Sequence, residues 1–394
     1  MTALPALPPT VPSLSAPVAP RRRRAGAGAG GGTATAIAAV RTVLPPHRYA
    51  QRDLTEPIGD LCLPAGADRA LLRRLHASAG VRTRHLALPI ERYAGLGDFG
   101  RRNDAWLAQG LELAEDALTG ALADAGLAPD DVDLLVCASV TGVAAPSLDA
   151  RLAGRVGLRP DVKRLPVFGL GCVAGAAGLA RVHDYLRGHP GDTAVLLTVE
   201  LCSLTLQPGD GSRACLVAGA LFGDGVGALV ARGADGSAFG ALPAGAASAG
   251  PSVVATRSRL YPGTGRLLGW DIGADGFHVV MDAGVPALVR DHFGRHLRAF
   301  LAEHGLTPQD IGTWLCHPGG PKILAAVTDA LGLPDDALDP SRRSLAAAGN
   351  MSSVSVLHIL EDVAREPHRP GPGTWGLLLA MGPGFCSELV LLRW

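Results

Sequence analysis

The chain has 394 residues, of which 47% are hydrophobic, with 36 basic side chains balanced by 36 acidic ones. That length provides core for two ordinary domains or one large duplicated one. Zero formal charge argues against nucleic acid as the main partner, because phosphate binding needs net basic faces. Residues 1–35 are rich in Pro and Ala, then pass through Arg21–Arg24 into an Ala/Gly run, a composition that reads as a disordered tail. No apolar signal core follows the arginines, so secretion is not expected. No apolar run of about 18 residues appears, so no stable membrane insertion is expected either.

Thr33–Val43 reads as the first strand, and Asp68–His76 and Asn103–Ala125 as helices. In the second helix Trp106, Leu107, Leu111, Ala114 and Leu118 recur near a 3.6 period. Strands are expected at Asp131–Ser139 and Val162–Leu170, then a small-residue helix from Cys172 to about Gly188. Further strands are expected at Thr193–Leu201 and Gly225–Ala231. The same rhythm returns with a helix at Val285–His304, a strand at Thr313–Cys316 and a helix at Lys322–Leu331. A helix at Ser352–Arg365 and strands at Gly376–Met381 and Glu388–Trp394 close the chain. Alternation of this kind means an α/β protein with buried sheets. FGDGVGALVA (222–231) and GPGFCSELVLL (382–392) each put a Gly-rich turn before an apolar strand. That suggests an internal duplication, with halves at 36–235 and 236–394.

Seven cysteines, at 62, 137, 172, 202, 215, 316 and 386, are scattered without a CxxC pair. Neither a metal site nor a disulfide framework is expected, and a reducing cytoplasm is. One thiol is free to be a nucleophile while the rest serve as small buried hydrophobes. In Phe168-Gly-Leu-Gly-Cys172-Val-Ala-Gly175-Ala-Ala-Gly178 a strand ends in a Gly-X-Gly turn and Cys172 opens a helix. There the free N–H groups and the helix dipole favour a thiolate; a tightly packed helix with a merely small cysteine fits the same pattern. Trp314-Leu-Cys-His317-Pro-Gly-Gly-Pro321-Lys322 places a histidine at a strand end, and Gly349-Asn350-Met-Ser-Ser353 an amide at a helix start. Taken singly, His317 reads as structural and Asn350 as an N-cap.

In that order the three residues resemble the decarboxylating condensation site of the thiolase superfamily. GCVAG around Cys172, ALFGDG (220–225), HPGGPKIL (317–324), GNMSS (349–353) and MGPGF (381–385) together resemble the type III polyketide synthases, the chalcone and stilbene synthase family. Ketoacyl-acyl-carrier-protein synthases of the ketoacyl synthase III type share the Cys-His-Asn order. Their histidine usually stands in a His-Gln-Ala-Asn context, absent here. The resemblance implies a thiolase-like, duplicated, five-layered αβαβα fold and a homodimer that takes acyl-CoA and malonyl-CoA as substrates. It implies no metal and no tightly bound cofactor. Cys172 would carry the acyl thioester, with His317 as imidazolium lowering the thiol's pKa through an ion pair. His317 and Asn350 would hydrogen-bond the enolate oxygen left by decarboxylation.

The resemblance also implies that Phe222 gates the CoA tunnel and that Gly382, Pro383 and Gly384 shape the cyclisation cavity. Arg74 matches one of the family's CoA-binding cations; its neighbouring lysines are Leu71 and Ser78 here, so Lys322, Arg73 or Arg82 would have to substitute. Ala145 replaces the family's usual methionine in the segment that reaches across the dimer, and Cys202, Thr205 and Trp270 fall on pocket positions. Small residues at several of these points suit a long apolar tunnel. GVAAPSLDARL and LGWDIGADGFHVV also look like bacterial alkylresorcinol and alkylpyrone synthases. The expectation is therefore a fatty acyl-CoA starter extended with malonyl-CoA to an alkylresorcinol or alkylpyrone. A synthase primed by malonyl-CoA itself, giving tetrahydroxynaphthalene, is the nearest alternative.

Overall fold

The computed structural model describes residues 34–234, 250–365 and 367–394. Residues 1–33 of the expected tail, and the expected boundary at 235/236, lie outside the described residues. The tail was drawn too long, because strand β1 is Ala34–Val43 and Thr35 is buried within it, 2.9 Å from His183 Nδ1. After β1 come β2 (His47–Ala50), α1 (Gln51–Cys62), α2 (Ala70–Ser78), β3 (Thr83–Leu86) and α3 (Phe99–Asp124). The first half continues with β4 (Leu134–Ala138), α4 (Leu148–Val156), β5 (Lys163–Val167), α5 (Ala174–Gly188), β6 (Thr193–Leu201), α6 (Arg213–Leu221) and β7 (Asp224–Ala234). The second half opens with β8 (Ser252–Leu260), the hairpin β9 (Leu268–Gly273) and β10 (Gly276–Met281), α7 (Val285–Leu288) and α8 (Gly294–Glu303). It ends with β11 (Ile311–Cys316), α9 (Pro321–Leu331), α10 (Asp339–Ala348), α11 (Val354–Ala364), β12 (Trp375–Gly382) and β13 (Cys386–Arg393).

Nine strands join in the order β11-β12-β13-β8-β1-β7-β6-β4-β5. Within this sheet the two halves join at the short β1–β8 pairing, Thr35 opposite Val253 and Ala36 opposite Ser252. Three apolar clusters show how the layers stack. One fills the space between α3 and the first-half strands, with Trp106, Leu118, Val195 and Val199. A second surrounds α5 and α11 and takes residues from both half-sheets, such as Leu179, Leu357, Leu196 and Leu378. The third lies between the second-half strands and α8 and α9, with Phe300, Leu324, Leu377 and Leu391. Helix, sheet, helix pair, sheet, helix makes the five layers of a thiolase-like α/β fold. A strand between two helical layers is buried on both faces and loses its alternation, which is why every residue of β6 is buried. Among the described residues no helix is long and apolar enough to cross a membrane.

Several elements gave no signal in the sequence. Helix α6, RACLVAGAL, has scarcely a polar face, so it carries no 3.6 period to read. The hairpin β9–β10 lies half-exposed, without the run of buried residues that marks a core strand. The helix expected over Val285–His304 is interrupted by a π-turn at Val289–Phe293 between α7 and α8.

Candidate active site

Cys172 lies in a 3₁₀ turn, Gly171–Val173, one step before α5 rather than inside the helix. Two glycines let that turn sit deep. A Cβ on Gly175 would lie 2.3 Å from Ser353 O, so only glycine lets α5 press its backbone against the segment leading into α11. A Cβ on Gly171 would lie 2.8 Å from Pro383 Cδ, which wedges the turn against the loop after β12. His317 follows β11, its N–H bonded at 2.9 Å to Leu379 O on β12, three residues before Gly382. The Asn350 N–H donates to Leu221 O at 2.8 Å, and Asn350 O accepts from the Gly223 N–H at 3.0 Å. The asparagine thus brackets Phe222. Ser352 N–H donates to Asn350 Oδ1 at 2.8 Å, which orients the carboxamide and leaves its NH₂ end for a substrate oxygen.

A cavity of about 30 Å³ opens in front of Cys172, walled among others by Ser352, Cys202, Phe222, Trp270 and Pro383. His317 and Asn350 are buried but are not among its lining residues. Thr205, expected at this pocket, lines a separate cavity of about 10 Å³ with Thr141 and Phe277. Its hydroxyl is turned back to Cys202 O at 2.7 Å. Ala145 is exposed beside the cis bond to Pro146 and lines neither cavity. The β9–β10 hairpin forms the cover: Trp270 packs on Phe277 at 6.0 Å between ring centroids, and Phe277 on Phe99 at 5.3 Å.

Burial weighs on both candidate catalytic side chains. Burial pushes the Cys172 thiol up to about 12, partly offset by a hydrogen bond with Ser352 and reinforced by the nearby Glu200. Burial pushes His317 down to about 4. Burial thus works against the charged form of each side chain, the reverse of what a helix start does for a thiolate. Neither ring nitrogen of His317 has a hydrogen-bond partner, so a neutral imidazole offers one donor and one acceptor to whatever enters.

Two buried acids at this site went unread in the sequence. Glu200 accepts from the Val140 N–H (3.2 Å) and from the hydroxyls of Thr141 (3.0 Å), Ser352 (3.3 Å) and Ser353 (2.6 Å). Burial still raises it to about 7. Ser352 is held at φ 50°, a region costly for a residue with a Cβ. Asp224, raised by burial to about 6, accepts from the N–H groups of Ala87 and Ser203. Beside it the buried Arg84 donates from Nη1 to Gly219 O (2.7 Å) and Phe222 O (2.8 Å), anchoring the Phe222 turn. For Glu200 the available signal was a lone carboxylate one residue from the end of the mostly apolar run TAVLLTVEL, since an acid in a doubly covered strand needs several donors.

The candidate CoA cations are on the surface. Arg74 on α2 and Lys322 at the start of α9 are both exposed. Their elements abut, since a Cβ on Gly80, just past α2, would lie 3.1 Å from Pro321 Cγ. Arg73 is already committed to Glu56 at 2.9 Å. Among the described residues no cluster of three His, Cys, Asp or Glu side chains is arranged to hold a metal.

Comparison with known proteins accounts for nearly the whole described chain. Residues 21–236 match the N-terminal domain, and 252–394 the C-terminal domain, of the family described as chalcone and stilbene synthases. The chain is 72% identical over 359 residues to 1,3,6,8-tetrahydroxynaphthalene synthase of Streptomyces peucetius subsp. caesius, covering 91% of this chain and 93% of that one. It is 30% identical to phloroglucinol synthase of Pseudomonas fluorescens, covering 89% and 97%. The crystal structure of 1,3,6,8-tetrahydroxynaphthalene synthase from Streptomyces coelicolor superposes with a TM-score of 0.83 at 31% identity, over 91% of this chain and 99% of that one. With a five-layered fold and two matching domains, this chain belongs to the chalcone and stilbene synthase family, the type III polyketide synthases, which are acyl-transferring enzymes.

Proposed function

We propose that the enzyme uses malonyl-CoA both to prime and to extend, and releases a tetrahydroxynaphthalene. The observation that carries this reading is the 72% identity to a tetrahydroxynaphthalene synthase. The fatty acyl starter and alkylresorcinol or alkylpyrone product have less support. Three starter carbons plus four two-carbon extensions, less one carbon dioxide, give the ten ring carbons of naphthalene.

In this reading the Cys172 thiol attacks malonyl-CoA and passes its proton to His317 as the thioester forms. A second malonyl-CoA loses carbon dioxide, and its enolate oxygen takes hydrogen bonds from His317 and Asn350. Loss of one such donor costs about 3 kcal/mol, roughly a hundredfold in rate. The enolate carbon then forms the new C–C bond at the Cys172 thioester and expels the thiolate, which recaptures the lengthened chain from CoA. Phe222 keeps water from the decarboxylation. Cys202 and Trp270 limit the cavity, and Gly382, Pro383 and Gly384 set its floor. Arg74 and Lys322 meet the CoA phosphates.

The enzyme acts on CoA thioesters with no resident metal or cofactor. It works as a homodimer in the cytoplasm, in keeping with an exposed edge strand β5 carrying Leu165, exposed Phe168 beside it and seven unpaired cysteines. Incubation of the purified protein with labelled malonyl-CoA alone tests the reading. Tetrahydroxynaphthalene is expected without any other acyl-CoA; product that appears only on adding a fatty acyl-CoA overturns it.

A further inference from the structure

Cys62 and Cys215 have no part in the condensing cavity. Cys62 closes α1 and Cys215 is the third residue of α6. Both side chains are buried and their sulfurs lie 3.9 Å apart. The two helices run in opposite directions along a line of contacts. Gln51 Nε2, at the start of α1, donates to Ala220 O at 2.8 Å. Ile58, one turn before Cys62, faces Gly219, where a Cβ would lie 3.0 Å from Ile58 Cγ2. The cysteine pair is the far end of that line, and the absent side chain at Gly219 brings the helices close enough for the sulfurs to meet.

The two thiols are not equivalent. Cys215 sits in the first turn of α6, its N–H bonded to the Ser212 cap, where helix N-termini stabilise anions. The contact with Cys62 holds Cys215 below the usual thiol range, while the same contact, with burial, raises Cys62. The helix start favours a thiolate at Cys215, whereas Cys62 stands at a helix end.

We propose that Cys62 and Cys215 form a reversible disulfide on exposure to peroxide, cross-linking α1 to α6. The Cys215 thiolate attacks hydrogen peroxide, forming an S–O bond and releasing hydroxide. Cys62 sulfur then displaces that oxygen as it forms the S–S bond. Two electrons pass from the sulfurs to the peroxide, whose oxygens leave with the two thiol protons as two waters. The sulfurs need to close by roughly 2 Å to reach bonding distance. Disulfides formed in a reducing compartment are typically transient and redox-sensing. This one pins the helix whose last residue, Leu221, precedes Phe222 in the cavity wall, so the oxidised enzyme turns over more slowly.

Peroxide treatment of the full-length protein, followed by alkylation, digestion and mass spectrometry, tests the assignment. A cross-linked peptide joining Cys62 to Cys215 and lighter by two hydrogens is expected, together with a Tm raised by several degrees. Turnover should fall about fivefold or more and recover with dithiothreitol. Cys62→Ser and Cys215→Ser, which keep Cys172, are each expected to lose the cross-link, the Tm rise and the recoverable fraction of the activity loss. The proposal is overturned if both thiols remain alkylatable after peroxide. It is equally overturned if the cross-link leaves turnover unchanged, or if Cys62→Ser shows the same recoverable loss.

Discussion

The helix pair at the centre of the fold and the surface formed by α2 and α9 are built by different rules. At the centre, α5 and the segment before α11 touch backbone to backbone at Gly175 and Ser353, and Cys172, Ser352 and Glu200 share one buried hydrogen-bonded cluster. A side chain there has one acceptable identity, because its neighbours cannot move to suit another. At that surface, the partly buried Arg69 and the exposed Arg73 share the carboxylate of Glu56, and Arg74 and Lys322 stand exposed. Solvated cations of this kind contribute little individually and substitute for one another. Position is therefore strict inside and loose outside, and substitutions should divide along that line.

Cys172→Ala should have the largest effect. Product formation from malonyl-CoA is expected to fall about a thousandfold or more, with Tm changed little because the thiol borders a cavity. Gly175→Ala comes next. Its new Cβ meets the Ser353 carbonyl, so a loss of about 3 kcal/mol in denaturant titration is expected, with activity lost alongside. A neutral result would contradict the close approach on which the centre depends.

Glu200→Gln should act through pH. The folded-state value of about 7 lies above the ordinary 4.5, so the native state binds this proton more tightly than the unfolded chain does. That contribution to stability is fully present below about 4.5 and is lost as pH rises through about 7. Asp224, raised to about 6 from 3.8, contributes with the same sign. His317, lowered to about 4 from 6.5, works oppositely, costing stability as pH falls through that window. The wild-type minus Glu200→Gln difference in Tm isolates the first effect and should shrink steadily between pH 4.5 and 7. A difference that stays flat would show that Glu200 remains ionised. Arg74→Ala should matter least, raising KM for malonyl-CoA about threefold with kcat unchanged, and less so at high salt.

The same division explains what was legible in the sequence. GCVAG, HPGGP and GNMSS could be read because their glycines and polar residues answer to contacts that admit few alternatives, such as Gly175 on Ser353 and the Asn350 bracket around Phe222. Strand β6 was read residue for residue, since burial on both faces leaves an uninterrupted apolar run. A helix start is visible in sequence, whereas the burial that raises the Cys172 thiol is not, because it depends on the surrounding fold. Thr205 was misassigned to the Cys172 cavity because a 3₁₀ turn at Cys202–Thr205 rotates its hydroxyl back onto the chain. Helix α6 was invisible, yet it leads to Phe222 and carries Cys215. Small residues along the sequence suggested a long tunnel, whereas the fold also sets Trp270 and Phe222 in the wall beside Cys172.

The most direct test of the centre is the mass of the Cys172 peptide from protein quenched during turnover with malonyl-CoA alone. An acyl adduct on Cys172, removed by hydroxylamine and absent from Cys172→Ala, is the expected result. Product accumulating while Cys172 stays unmodified, or an adduct found instead on the neighbouring cavity thiol Cys202, would contradict the assignment of the nucleophile.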